Sequence, residues 1–582
     1  MNDRAGGSAT DTGRGRAIDG RAGLLRLLAA LLLVNALFLL PDIVLLRARG
    51  AAWLAAEALL VGAAFALASR TRAWRIAAGA VAGACVAVFV LETAETVMWT
   101  ALRRPLNLYL DVWLIDSVHH LLVGAVGPVP AVVVELLAAG ALVGTGVLVA
   151  RLLLPPAPEA GPASPSTGAP TRAALAVAAA LGGAGLLVGA ASLKTSLLDA
   201  PVARLARDQV VRYAETRRDR GVFRAELAEA PAGYADTPGL LAGLGGSDVI
   251  LGFLESYGAA AIEDPRYADV VGPRLDALER RVSEAGLHVV SGRLVAPSQG
   301  GQSWFAHGSL LSGLWLDNQI RYDLMLGSGR ETLIDDFRRA GYRTVALMPA
   351  IQLAWPEGVR FGYDEVWARS DIDYAGPPLN WVTMPDQFTW SFLETTIRAR
   401  EPQRPLFAEV GLISSHAPWT PILDVIDDWS SIGDGSVFAR WEGAGEPPQE
   451  LWLDTERVRE HYARSVGYAV DVAASYAARF VDDRTLLIVL GDHQPAPLIT
   501  GDDAPWDVPV HVISGDPGLL EPFLDWGFVD GAWPPPYDGT TLGVDYFRDW
   551  FIRAYSGSPA RVTRAGTTPQ GGDGGSGGHP DG

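Results

Sequence analysis

The stretch Thr485-Leu-Leu-Ile-Val-Leu490, followed by Gly491-Asp492-His493-Gln494-Pro495, decides how this chain reads. Its first six residues are almost wholly apolar, stop at a glycine and have the length of a strand buried on both faces, the pattern of a parallel sheet. Such a strand delivers Asp492 and His493 to the carboxyl edge of the sheet, where open α/β folds place their ligands. An adjacent carboxylate and imidazole suit a divalent metal acting as a Lewis acid, provided that further ligands come from distant parts of the chain.

Working outward, Asp248-Val-Ile-Leu-Gly-Phe-Leu254 reads as a second buried strand and ends in Glu255-Ser256-Tyr257-Gly258, a carboxylate at a strand end before a turn signal. Glu255 is therefore a third ligand candidate. Farther on, Gly300-Gly301-Gln302-Ser303-Trp304-Phe305-Ala306-His307-Gly308 sets a flexible loop, a hydroxyl and a short apolar helix in succession. Ser303 falls at the helix N-terminus, where backbone N–H groups and the helix dipole favour an anion.

A strand ending in Glu255-Ser256, a hydroxyl residue opening a helix, Ser414-Ser415-His416-Ala417-Pro418-Trp419 after a strand, and Gly491-Asp492-His493 follow one another in that order. Together they resemble the sulfatase-like branch of the alkaline phosphatase superfamily, and in particular membrane-bound lipoteichoic acid synthases and phosphoglycerol transferases. The likeness covers roughly residues 246 to 550, and the apolar N-terminal segments extend it to most of the chain. It implies one metal ion held by Glu255, Asp492 and His493 with Ser303 Oγ as fourth ligand, a lowered hydroxyl pKa, attack on phosphorus and a covalent phosphoserine. It also implies that His416 contacts the phosphate or protonates the leaving group as a general acid. Oxygen and imidazole ligands suit manganese or magnesium, and the resemblance favours manganese.

Each of these residues has a plainer reading. Asp492-His493 could be a strand-end turn, Glu255 a helix cap or surface charge, Ser303 only an N-cap and His416 a histidine satisfied in a turn. His307, one turn after Ser303, either faces the site or packs against the sheet. Trp355 and Arg360 are candidate substrate contacts. His511, inside Val508-Pro-Val-His-Val-Ile513, reads as a strand residue, and Asp386, in Pro385-Asp386-Gln387-Phe388, as a helix cap.

The chain departs from the resembling enzymes at two places. Ser303 stands where they usually have threonine, and Gln352-Leu-Ala-Trp355-Pro-Glu357 stands where they show a basic residue near a tryptophan, although the following Phe361-Gly-Tyr-Asp-Glu-Val366 is similar. True sulfatases of the superfamily form formylglycine in a C/S-x-P/A-x-R context. Ser303-Trp-Phe-Ala-His307 lacks both the small residue and the arginine, which argues against sulfate ester hydrolysis by that route.

With 582 residues, the chain is too long for one ordinary core. A net charge of -19 argues against nucleic acid as a partner. The single cysteine, Cys85, lies in an apolar run, so neither an internal disulfide nor a cysteine metal site can form.

The polar residues 1–22 read as a disordered cytoplasmic tail. Apolar spans follow at 23–47, 51–69, 75–98, 131–153 and 173–193, each near the roughly 20 residues that cross a bilayer, which predicts five transmembrane helices. Arginines in the tail, in Arg70-Thr-Arg72-Ala-Trp-Arg75 and between Arg151 and Arg172 place those segments in the cytoplasm, so the chain after Lys194 is extracytoplasmic. Residues 105–120 mix apolar and polar side chains and read as an interfacial helix. Residues 194–245 read as a juxtamembrane helix and linker, 246–556 as the catalytic domain and 557–582 as a disordered tail. Within the catalytic domain, strand-like runs at 248–254, 343–348, 405–413, 485–490 and 509–513 alternate with helical patterns, a doubly wound α/β pattern. Glu57, Glu92, Glu95 and Glu135 are costly in lipid and are expected to make a proton path or head-group contact, or simply an interhelical polar contact.

The expected function is a membrane-anchored phosphotransferase of the plasma membrane, moving a phosphoglycerol-like group from a membrane lipid donor to a cell-envelope glycan or lipid. One alternative keeps the fold and uses water as acceptor, a phosphatase or phosphodiesterase. Another is a transporter or regulatory membrane protein with a catalytically silent domain.

Overall fold

The structure is a computed structural model, and it describes residues 12–44, 53–65, 71–112, 114–154, 182–183, 198–229, 233–352, 355–400, 404–537 and 539–557. The N-terminal part contains helices α1 (Thr12–Val44), α2 (Ala56–Phe65), α3 (Arg72–Leu102), α4 (Leu114–Val126), α5 (Pro128–Leu153) and α6 (Pro201–Glu229). Two of them, α3 and α5, are long and apolar enough to cross a membrane. The expected five-span count is thereby reduced to two clear candidates among the described residues. The first span falls within α1, whose shorter apolar part is Leu25–Pro41, and of the second span α2 supplies ten described residues, with 66–69 outside the described residues. The fifth span lies outside the described residues, apart from 182–183. The helix α1 starts at Thr12 and so takes in part of the segment read as a tail. Residues 105–120 form two pieces rather than one helix, a turn at Leu108–Asp111 and the start of α4.

The second part is built on one sheet. Its strands are β1 (Asp248–Leu254), β2 (His288–Val295), β3 (Arg343–Met348), β4 (Glu365–Ala368), β5 (Leu406–Leu412), β6 (Thr485–Gly491), β7 (Asp507–Ser514) and β8 (Val529–Asp530), in the order β8-β2-β7-β6-β1-β5-β3-β4. From β6 to β4 every pairing is parallel, whereas β7 and β2 run antiparallel to their neighbours. The sheet is therefore mixed rather than purely doubly wound. Alternate residues of the central strands feed two cores. Ile250, Leu487 and Val410 face α7 (Pro265–Glu284) and α11 (Thr455–Phe480), while Val249, Leu251, Leu486 and Ile488 face α8 (Trp304–Ser312) and α12 (Tyr546–Tyr555). Burial on both faces explains why these strands read as continuous apolar runs. Two further helices flank the carboxyl edge, α9 (Pro356–Phe361) and α10 (Asp386–Phe392).

The register fixes the site. Leu254 pairs with both Gly491 and Leu412, so Glu255, Asp492 and the segment after Leu412 leave three adjacent strands at one level.

Candidate active site

Glu255 and Asp492 come from neighbouring strand ends and meet His493 in one cluster, their ligand atoms all within 4.8 Å of one another. The connection between them is tight. Asp492 Oδ1 accepts hydrogen bonds at 2.8 Å from the N–H groups of Ser256 and His493. Ser256 Oγ donates to Glu255 Oε1 at 2.8 Å, and its own backbone is left-handed at φ 56, a strained conformation for a residue with a Cβ.

His493 Nδ1 donates to the Gln494 carbonyl at 2.9 Å, because a carbonyl can only accept. This sets the tautomer and turns Nε2 toward Glu255 Oε1 at 3.4 Å and Asp492 Oδ2 at 3.6 Å. Nε2 is buried and makes no hydrogen bond among the described residues. Two carboxylates and an imidazole nitrogen without a partner, oriented from behind by a carbonyl, fit a divalent cation. In the metal-free protein the three groups compete for protons. Burial lowers the proton affinity of His493, but the charges of Asp492 and Glu255 outweigh it and carry the imidazole up to about 9. Burial and the charge of Glu255 push Asp492 up to about 6. Burial acts the same way on Glu255, yet the adjacent His493 and His416 rings hold it well below the carboxylate range.

Ser303 stands at the first residue of the α8 approach, as its position in the sequence predicts. Its hydroxyl does not cap the helix; it donates to Glu255 Oε2 at 3.4 Å. The preceding Gly300, Gly301 and Gln302 all have positive φ, 75, 145 and 65, which lets the chain turn sharply and aim Ser303 at the carboxylates. One turn on, His307 stacks on Phe253 with ring centroids 3.8 Å apart and binds Glu409 Oε1 through Nδ1 at 2.7 Å.

The residues after β5 close the opposite side. Ser415 Oγ donates to the Glu255 carbonyl at 2.6 Å, His416 Nδ1 donates to the Ala417 carbonyl, and the His416 ring stacks on Trp381. Asp386 belongs here too, and not as a cap: Pro385 is the cap position of α10, and Asp386 Oδ1 accepts from the N–H groups of Ile413 and Ser414 at 2.7 and 2.8 Å. Burial pushes this carboxyl up to about 6.

A cavity of about 1030 Å³ joins Glu255, Ser303, His307, His416 and Asp492 with Trp355, Trp381, Trp419 and Trp452, and reaches Thr100 and Ala101 of α3 and Leu121 of α4. Trp355 lines it. Arg360 does not: it is exposed at the far end of α9. His511 sits in the core between Tyr257 and Ser291, as read. Glu95 serves as an interhelical contact, accepting from Arg212 of α6 at 2.8 Å. Glu409 and Gln302 escaped the sequence reading. A glutamate inside the apolar strand Leu406–Leu412 was the available signal for Glu409.

Residues 313–508 match the family model described as Sulfatase, which covers His416, Asp492 and His493. Over those residues the chain carries a match to a sulfatase domain. Among curated proteins none matches it. Similar solved structures include the lipoteichoic acid synthase LtaP of Listeria monocytogenes, at 14% identity and TM-score 0.32, covering 46% of this chain and 65% of that one. They also include the phosphoglycerol transferase GacH of Streptococcus pyogenes in complex with sn-glycerol-1-phosphate, at 12% identity and TM-score 0.35, covering 60% and 87%. The C-terminal periplasmic domain of EcEptC from Escherichia coli matches at 15% identity and TM-score 0.31, covering 53% and 90%. The chain thus spans just under two thirds of the Listeria synthase structure.

Proposed function

We propose that the chain is a membrane-anchored phosphotransferase that moves a phosphoglycerol-like group from a membrane lipid to a cell-envelope glycan or lipid, through a phosphoserine on Ser303. The observation that carries this reading is the cavity, which runs from Ser303, Glu255 and Asp492 to Thr100 and Ala101 at the end of α3 and to Leu121 of α4. A lipid head group held at the membrane surface reaches such a cavity without leaving the bilayer, and tethering raises its effective concentration over that of a soluble ester.

Glu255, Asp492, His493 and the Ser303 hydroxyl would hold one divalent ion, manganese in our reading, which supplies Lewis-acid chemistry to the phosphoryl oxygens. Ser303 passes its proton to Glu255 Oε2, from which it recovers it when freed, and its Oγ forms the bond to phosphorus as the bond to the diacylglycerol oxygen breaks. His416, whose Nδ1 is committed to the Ala417 carbonyl, gives a proton from Nε2 to that leaving oxygen. The same nitrogen then takes the proton of the acceptor hydroxyl as it attacks the phosphoserine and frees Ser303. In this reading residues 246–556 are extracytoplasmic, residues 23–193 form five spans, and the enzyme resides in the plasma membrane.

Reconstitution into phosphatidylglycerol vesicles with manganese tests the proposal by following diacylglycerol release with and without glycerol or a glycolipid acceptor. Release coupled to an acceptor adduct is expected. Free glycerol phosphate with no adduct would make the chain a hydrolase, and Ser303→Ala with an unchanged cellular phenotype would point to a catalytically silent domain.

A further inference from the structure

The outer end of α3 is built into the loop that carries Ser303. Arg103, the left-handed residue that ends α3 at φ 50, donates from Nη1 to Gln299 Oε1 at 3.1 Å and to the Ala504 carbonyl at 2.6 Å, and from Nη2 to the Asp502 carbonyl. Arg104 donates from Nε to Gln302 Oε1 at 3.4 Å while Asp111 braces its Nη atoms at 3.1 and 2.8 Å. Gln302 is the residue directly before Ser303. Between them the backbones nearly touch: a Cβ on Gly300 would lie 1.8 Å from the Ala101 carbonyl oxygen.

The same loop is joined to the cation-site loop. Gly300 N–H donates to the Gln494 carbonyl at 2.8 Å, and the buried Gln299 side chain donates to the Pro495 carbonyl and to Thr500 Oγ1 at 3.0 and 2.9 Å. Three successive residues, Gly300 to Gln302, hold positive φ, and the last of them bears a side chain that disfavours it. A loop of this kind keeps its shape only when its surroundings fix it. Here one side is fixed by residues 494–500 and the other by α3. An arginine at the end of an apolar helix ordinarily extends toward lipid phosphates; both of these turn instead to protein acceptors beside the nucleophile.

We infer that Arg103 and Arg104 are positioning residues, and that the end of α3 holds the Gln299–Gln302 loop so that Ser303 is aimed at the Glu255, Asp492 and His493 cluster. The membrane domain is then part of the catalytic apparatus and not a tether alone. A domain released from α3 keeps its sheet and its cation ligands but loses the fixed aim of Ser303. The activity arm of the test rests on the phosphotransferase reading; the exchange arm does not.

The experiment compares full-length wild type, Arg103→Ala, Arg104→Ala and Arg104→Lys in lipid nanodiscs with manganese. Hydrogen exchange is followed for a peptide spanning 298–304 and, as a control for folding, one spanning 485–490. Turnover is followed with bis(p-nitrophenyl) phosphate, a soluble diester that needs no lipid docking. Exchange at 298–304 should rise at least tenfold in both alanine variants with 485–490 unchanged. Turnover should show kcat lowered at least tenfold, KM within twofold and bound manganese unchanged, and Arg104→Lys should recover part of the loss. Unchanged exchange at 298–304 in both alanine variants overturns the inference whatever the activity. Equal loss in Arg104→Lys and Arg104→Ala, or a rise in KM with kcat intact, also overturns it. If Arg103→Ala loosens 485–490 as well, Arg104→Ala alone decides. A wild type inert toward the diester, with 298–304 loosened in the variants, supports the positioning role and counts against the phosphotransferase reading.

Discussion

Replacing Asp386 separates two effects that its carboxylate combines. One oxygen, Oδ1, takes both the Ile413 and Ser414 N–H groups and so holds the loop that ends in His416. The other, Oδ2, is buried with no hydrogen-bond partner among the described residues. Asparagine keeps the Oδ1 acceptor and removes the charge, whereas alanine strands two buried N–H groups, at about 1–3 kcal/mol each. The pH dependence follows from burial pushing the carboxyl up to about 6 from the ordinary aspartate value near 4. A raised acid pKa gives stability that is fully present below the unfolded value, near 4, and is lost as pH rises through about 6. The shift corresponds to about 3 kcal/mol. Asp386→Asn should therefore become more stable than wild type by up to about that amount between pH 4 and pH 7, while Asp386→Ala gains the same charge relief but loses most or all of it to the stranded donors. Urea unfolding of the full chain in detergent, followed by tryptophan fluorescence at pH 4.5, 6 and 7.5, reads both. A difference between Asn and wild type that does not grow with pH would refute the buried-charge reasoning. An alanine variant as stable as asparagine at pH 7.5 would refute the role of Oδ1.

Three other outcomes follow from the same geometry. Because the imidazole of His493 sits near 9 in the metal-free site, manganese must displace its proton, so affinity measured by calorimetry should rise roughly tenfold per pH unit between pH 6.5 and 8.5, with proton release detectable in buffers of different ionisation enthalpy. Glu409→Gln, which takes the charged partner from His307, should lower kcat by about tenfold to a hundredfold with bound manganese intact; no change would make the pair a packing contact. Arg548→Ala leaves the buried Asp336 without the cation it meets at 2.8 Å, and should cost about 3–5 kcal/mol in the same urea assay without altering the catalytic residues.

The central strands were readable because burial on both faces leaves an unbroken apolar run, and β1, β3, β5 and β6 fall where such runs stand. The strand β2 was not readable: Ser291, Gly292 and Arg293 interrupt it, and their polar groups are satisfied by partners far along the chain, His511 and Asp507. Its antiparallel pairing with β7 made the sheet mixed, a feature that no local pattern carries. Strand-end carboxylates and the Asp-His pair were legible because their positions follow from strand length alone. Asp386 looked like a helix cap, since its true partners lie 27 and 28 residues away. The roles of Arg103 and Arg104 were hidden for the same reason: what they hold is a loop about 200 residues distant, brought to them only by the docking of α3. Of the five expected spans, α3 and α5 are long and apolar enough to cross a membrane among the described residues.

The central claim is that Ser303 is the nucleophile of a phosphoryl transfer, and peptide mass spectrometry tests it most directly. Purified full-length protein is incubated with manganese and phosphatidylglycerol beside a Ser303→Ala control. The account predicts a phosphoglycerol adduct on Ser303 that is absent from the control and disappears when an acceptor is added. An adduct on another residue, or none on any residue with manganese bound and phosphatidylglycerol consumed, would contradict it.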